Sequence, residues 1–462
     1  MVKTKKKSKP FSGILSFIIL LLLFLVSFPL SLKAAPRVQK TDQPVVIVID
    51  PGHGGENEGT TENGFLEKSM NMITAKAMYD ELCLYENVEV YLTHTEDMDL
   101  SLKARAEYAA SVNADFLFSI HYNASVEHDL FGTEVWISSQ VPYNAYGYQF
   151  GYEQMLTMQD MGLFLRGIKT RLNERGTDYY GIIRESVALS VPAVIIEHCH
   201  VDENRDVPYC DSEEDLIAFG KADAGAVARY FGLRSDTLGV DYSKEPDRLP
   251  DVKESSKVQS SLKDESPPDV CMVTLLSTND EECSITLQVT ATDYDSPLIY
   301  YDYSMDSGLT YSPLQPWPGS DALTGSYQDT FTLNLPIDPG IQPNIIVRAY
   351  NLFDACTASE KLPILHIFRQ KTEDSQQVEP TDAENIPQKE NPNLPGTTTF
   401  FPVSSTLQET ESDQIEYWDF IKICIVVVIV TFVLILISQI ISHQKRKKKI
   451  STHKGRGRNP EP

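Results

Sequence analysis

Along residues 44–233, short apolar runs alternate with stretches whose apolar positions recur at helical spacing. The runs "VVIVI", "VEVYLT", "DFLFSIH", "TEVWIS" and "AVIIEH" are rich in β-branched and aromatic residues and read as strands, several of them buried on both faces. Between and after them, "EKSMNMITAKAMYDELCLY", "SLKARAEYAASVN", "YEQMLTMQDMGLFLRGIKTRLNERG" and "EEDLIAFGKADAGAVARYFG" predict helices. Strands separated by helices imply an α/β domain with a largely parallel central sheet flanked by helices.

The texture then changes. Residues 234–266 are rich in Ser, Lys, Asp, Glu and Pro and read as a linker. Over 267–368, "ITLQVTATD", "IYYDYSMD", "DTFTLNLP" and "NIIVRAYNLF" alternate apolar and polar residues between turn residues. This predicts a small all-β sandwich of immunoglobulin-like texture. Residues 369–416, rich in Gln, Glu, Thr, Pro and Asn, predict a disordered stalk.

Two further apolar runs lie near the ends. Residues 11–32 follow a lysine-rich start and precede Ala34 and Ala35, so 1–36 reads as a signal peptide or a retained signal anchor; both stay open. The second run, within 420–442, follows Tyr417 and Trp418 and precedes Lys445, Arg446, Lys447, Lys448 and Lys449. It predicts a transmembrane helix with a basic cytoplasmic tail over 443–462. The expected location is the cell membrane, with the α/β domain extracellular and the lipid bilayer as one partner.

Charge sharpens this picture. The 462-residue chain carries a formal charge of -25, and removing the two basic ends leaves an even more acidic middle. So acidic a surface excludes nucleic acid as a partner. The seven cysteines fit no metal motif. An exported location permits disulfides, and Cys199 with Cys210, or Cys271 with Cys283 or Cys356, are candidates beside free thiols.

The chemistry gathers at strand ends. His53 follows "VVIVID", His121 follows "DFLFSI" and Glu197 closes "AVII". In an open parallel sheet the C-terminal strand ends share one edge, where ligands bind. Glu67 opens a helix soon after the first strand and can reach the same edge. Two histidines and a carboxylate suit Zn2+ with a fourth position left for water. A second carboxylate, Glu197, can move the proton. The glycines around His53 allow backbone and substrate to approach closely.

These motifs carry a resemblance. "IDPGHGG", "EKSMN", "SLKARAEYA", "FLFSIHYNAS", "GTEVW" and "VPAVIIEHCHVDEN" occur in the order seen in zinc-dependent N-acetylmuramoyl-L-alanine amidases of the amidase 3 family. The resemblance covers about 44–233 and implies a mixed sheet. It implies one Zn2+ held by His53, Glu67 and His121, with Glu197 catalytic. The implied reaction is hydrolysis of the amide between the lactyl group of N-acetylmuramic acid and L-alanine in peptidoglycan. Asn123 and Arg184 are assigned to substrate, and Tyr179 and Tyr180 to the lining of the cleft. Arg105 is read as a structural arginine holding helix to sheet. His94 stands where many members have arginine and is read as a surface residue, with a substituted substrate contact as the alternative. His198, Cys199 and His200 replace the family's usual residues after Glu197; they are not read as a second metal site. A zinc peptidase of the stem peptide would use the same machinery. A protein partner is assigned to the β-sandwich.

Overall fold

The computed structural model describes residues 43–244 and 266–369, apart from 321, 324 and 326. The N-terminal segment, the stalk beyond residue 369, the 420–442 run and the basic tail lie outside the described residues. Among the described residues no helix is long and apolar enough to cross a membrane.

The first strand, β1 (Val45–Pro51), is buried along its whole length because it lies between two others. It pairs in parallel with β2 (Val88–Leu92) and β3 (Phe116–Asn123). With β4 (Thr133–Ile137), β5 (Leu165–Lys169) and β6 (Ala193–His200), the six-stranded order is β2-β1-β3-β6-β4-β5. β6 runs parallel to β3, whereas β4 is antiparallel to β6 and parallel to β5. The sheet is therefore mixed and largely parallel.

Five helices cover it: α1 (Glu67–Leu82), α2 (Leu102–Ser111), α3 (Tyr143–Asp160), α4 (Gly181–Ala188) and α5 (Glu213–Phe231). Strand alternation divides the side chains between two cores. Phe116, Phe118 and Ile120 meet Met78, Phe150 and Phe219 from α1, α3 and α5. Leu117 and Ile195 meet Ala109, Ile182 and Val187 from α2 and α4. Ser119 and His121, in step with Leu117, thus project on the α2–α4 side. α5 begins with a Ser212–Asp215 capping box and ends at Gly232 in the left-handed region, so both ends are chemically defined.

Two expectations need correction. The helix predicted from Tyr152 to Gly176 stops at Asp160, and Gly162, at φ +94°, turns the chain into β5. The apolar positions of "LFLRGIK" suit either period, and the free edge of β4 selects the strand. A further helix, α4, then covers the sheet before β6. The linker predicted from residue 234 begins as folded chain. β7 (Arg234–Ser235) and β8 (Val240–Asp241) pair, and Leu238, Val240 and Tyr242 pack on the main core.

In the second half, β9 (Val270–Asn279), β10 (Ser284–Thr292) and β13 (Gln328–Pro336) form an antiparallel sheet in the order β13-β10-β9. A second sheet is ordered β12-β11-β14-β15, from β11 (Leu298–Ser304), β12 (Gln315–Pro316), β14 (Asn344–Asn351) and β15 (Cys356–Ala358). The two sheets share one core, in which Leu287, Val289 and Leu335 meet Val347, Ala349 and Trp317. The six described cysteines are all free thiols, with Cys199 and Cys210 buried.

Candidate active site

β1 leaves the sheet through Pro51-Gly52-His53. His53 adopts φ +66°, a region non-glycine residues rarely occupy, and this turns its ring back over the strand ends. The turn is held from below by Arg105 on α2. Its guanidinium donates to the carbonyl oxygens of Pro51 at 2.6 Å and His53 at 2.5 Å, and to Asp50 Oδ1 at 2.8 Å. Arg105 is thus the helix-to-sheet clamp that its position suggested. Gly52 lets the His121 ring come close: a Cβ there would stand 2.2 Å from it, so the ring would have to shift.

Glu67, the first residue of α1, is buried with its carboxylate between the two histidines. Its Oε1 lies 3.1 Å from His53 Nε2 and 3.0 Å from His121 Nδ1, and its Oε2 accepts from the Thr60 amide at 2.8 Å. Burial alone would raise the Glu67 pKa, but hydrogen bonds from His121 and His53 prevail and hold it well below the usual carboxylate range. Burial opposes protonation of His53, and hydrogen bonding and charge from Glu67 more than offset it, so its pKa is raised.

One ligand atom from each of His53, Glu67 and His121 lies within 4.8 Å of the others. Two imidazoles and one carboxylate at this spacing fit a divalent ion of the zinc type. His121 is braced in turn. Its Nε2 lies 3.2 Å from Ser119 Oγ, which donates to Asp50 Oδ2 at 2.9 Å, while Asp50 Oδ1 also accepts from Thr93 Oγ1 at 2.6 Å. Behind it, His198 bridges the His121 carbonyl oxygen at 3.0 Å and Asp223 Oδ2 at 2.8 Å.

Glu197 pairs with His121 in the β3–β6 register. Its Oε2 is out of contact with solvent and has no hydrogen-bond partner. Burial, then the negative charges of Glu67 and Glu134, raise its pKa well above the usual range, with Arg166 acting weakly against them. A carboxyl with a raised pKa and one partnerless oxygen, on the strand beside a metal-type cluster, is a candidate for proton transfer.

The other expected residues fall into place unequally. Asn123 Nδ2 donates to Glu134 Oε1 at 3.0 Å and its Oδ1 accepts from the Ala124 amide, so its side chain is engaged within the protein. Arg184 lies apart from the histidine cluster. It donates to the carbonyl oxygens of Asp178 and Tyr179 at 2.9 Å and borders a cavity of about 530 Å3 with Arg171, Arg175 and Tyr179. Tyr180 packs against Trp136 of β4. His94 is buried, contrary to the surface reading: β2 delivers it beside Thr93, and burial followed by the Arg105 charge lowers its pKa. His198 is used by Asp223 and His200 lies 3.1 Å from the Gly132 carbonyl oxygen, so no second metal cluster forms there among the described residues.

Sequence reasoning passed over Glu134. It sits within "GTEVW" with no assigned role, yet its carboxylate is buried and takes four donors: Asn123, Trp136, Arg166 and Lys169. The available signal was an acidic residue inside a short, largely apolar strand.

Two histidines and a buried glutamate at the edge of an α/β sheet, with a lone carboxyl oxygen on the adjoining strand, form a candidate metal site of the kind a hydrolase can use. Comparison with known proteins gives the family. Residues 47–229 match the N-acetylmuramoyl-L-alanine amidase family. The chain is 31% identical over 197 residues to the N-acetylmuramoyl-L-alanine amidase CwlM of Bacillus licheniformis, covering 42% of this chain and 72% of that one. It is 30% identical to the sporulation-specific N-acetylmuramoyl-L-alanine amidase of Bacillus subtilis, covering 41% of this chain and 69% of that one. The solved catalytic domain of CwlV from Bacillus (Paenibacillus) polymyxa var. colistinus aligns with a TM-score of 0.36 at 25% identity, covering 41% of this chain and 99% of that one. The chain belongs to the N-acetylmuramoyl-L-alanine amidase family.

Proposed function

We propose that this protein is a membrane-anchored, zinc-dependent cell-wall hydrolase. It cleaves the amide between the lactyl group of N-acetylmuramic acid and L-alanine in peptidoglycan. The observation that carries this reading is the His53–Glu67–His121 cluster with the partnerless oxygen of Glu197 beside it.

Zn2+ held by His53, Glu67 and His121 supplies Lewis acidity, which makes water acidic enough to react at neutral pH. The chain's own groups do the rest. Glu67, kept ionised, adds negative charge to the ligand set. Asp50, Ser119 and Arg105 fix the two imidazoles in place. Glu197 takes a proton from the attacking water, an acceptance its raised pKa favours, and delivers it to the more basic departing L-alanine amine. Asn123 and Arg184 are kept as substrate contacts, which for Asn123 requires exchanging a protein partner for a substrate one and for Arg184 a substrate that extends to its separate cavity.

The domain plan follows the sequence: catalysis in 44–233, the immunoglobulin-like β-sandwich in 267–368, a stalk, a membrane span in 420–442 and a basic tail. The tail meets anionic headgroups on the cytoplasmic side, and the catalytic domain faces the wall. The test is incubation of the purified full chain in detergent with sacculi, with added zinc and with chelator, followed by mass spectrometry of new ends. Free lactyl groups and new L-alanine amino termini are expected with zinc alone. New ends inside the stem peptide would replace this reading with a peptidase.

A further inference from the structure

The β-region packs directly on the catalytic domain. Phe131, just before β4, shares a buried apolar cluster with Ile299, Tyr300, Leu314 and Leu352. The approach is close: a Cβ on Gly167 of β5 would stand 2.7 Å from Leu352 Cδ1. Arg205 lies 3.6 Å above the Phe131 ring and donates to the Leu314 carbonyl oxygen at 2.6 Å.

Beneath this seam lies a chain of charges. Arg166, buried at the β4–β5 irregularity, donates in three directions. Its Nε reaches Glu134 Oε2 at 2.9 Å, its Nη1 reaches the Tyr300 hydroxyl at 3.2 Å, and its Nη2 reaches Asp354 Oδ2 at 2.8 Å. Tyr300 then donates to the Phe131 carbonyl oxygen. Lys169 Nζ lies 2.8 Å from Glu134 and 3.9 Å from Asp354. Two cations thus face two anions, and one of those anions comes from the β-region. Glu134 stands opposite Glu197 in the antiparallel β4–β6 register.

We propose that the β-region completes the catalytic unit: Asp354 and Tyr300 are positioning residues that act through Arg166 and Glu134 on the strand pair carrying Glu197. With Asp354 withdrawn, two buried cations share a single carboxylate. A buried charge without its partner is strongly unfavourable, so the network must rearrange or admit water. Arg166 and Lys169 sit on β5, which pairs with β4, and β4 in turn pairs with β6, so the disturbance passes along these strands. Displacement of the β4–β6 pair moves Glu197 relative to His121 of the neighbouring β3, while His53, beyond the end of β1, and Glu67, on α1, lie outside that pair. Docking of the β-region therefore governs the rate of the proposed hydrolysis through the placement of its proton-transfer group, and this part of the inference rests on the functional reading above.

The experiment compares full-length wild type, Asp354→Asn, Asp354→Glu, Tyr300→Phe and, as control, the exposed Asp338→Asn. It measures kcat, KM, zinc content and amide hydrogen exchange. For Asp354→Asn the expected result is a kcat lower by roughly ten- to a hundredfold, in line with small misplacements of reacting groups. KM should stay within about twofold. Zinc should remain fully bound, and exchange should quicken in β4 and β6 but not in β1 and β2. Asp354→Glu should recover part of the rate. Tyr300→Phe, a gentler lesion should Asp354→Asn fail to fold, should shift exchange in the same strands. Unchanged β4 and β6 exchange in the folded variants overturns the proposal, as does a uniform rise over the whole sheet. Should wild type not cut the lactyl amide, the functional reading fails, and the exchange measurement still decides the coupling.

Discussion

Glu134 and Glu197 lie opposite each other on adjacent strands, and their surroundings drive them apart in acidity. Burial alone would raise both. Arg166 and Lys169 reverse that effect at Glu134 and hold it well below the usual range, whereas Glu197 has no comparable partner and stays raised. Under the proposed function this division suits Glu134 to structural charge and Glu197 to carrying the proton.

Glu197→Gln keeps size and removes the proton acceptor. The variant should fold, bind zinc and bind sacculi, while its cutting rate falls by about 100- to 10,000-fold. Loss of bound metal in this variant would make Glu197 a ligand instead, and near-normal cutting would mean that the proton travels elsewhere.

His121→Ala should lose both metal and activity. Elemental analysis of wild type should find about one zinc per chain, removable by chelator. A fully zinc-loaded His121→Ala protein would remove this residue from the ligand set.

Gly52→Ala places a methyl group against the His121 ring, 2.2 Å away before relaxation. The ring must move, so zinc affinity should drop with little change in overall fold. Titration with a competing chelator reads this directly, and unchanged affinity would show that the ring has room to yield.

Glu134→Gln leaves Arg166 and Lys169 without their carboxylate partner on β4. Breaking a buried pair in this way costs about 3–5 kcal/mol. The folded pKa of Glu134 lies below its unfolded value of about 4.3, so its contribution is fully present above that pH and declines as pH falls toward the folded value. Urea unfolding at a series of pH values should therefore show the gap between wild type and variant constant near neutrality and narrowing in acid. A gap that widens in acid contradicts the assigned charge state.

The topology is tested on intact protoplasts. External protease should release the catalytic domain by cutting within 369–416 and leave the 443–462 tail protected. A tail digested from outside would reverse the arrangement, and an N-terminal tag in the same experiment reports whether 11–32 is retained.

The metal-type cluster was legible in the chain because its parts are local. A buried strand announces itself by an unbroken β-branched run, and the polar residue that ends it must lie at the sheet edge. His53 follows this rule, His121 and Glu197 follow their apolar runs but lie within β3 and β6 where the register sets them side by side, and Glu67 needs only a short return from β1. Three findings needed the folded chain. β5 and α4 were hidden in a stretch whose apolar spacing fits a helix as well as a strand, and the open edge of β4 decided between them. His94 reads as a surface residue until Asp50 and Arg105 close around its strand end. Arg166 and Asp354 stand 188 residues apart, and nothing near either one in the chain names the other. Periodicity reports which face of an element is buried. Which charges meet on that face depends on the order of the strands and on where the second core docks, and only tertiary packing sets those distances.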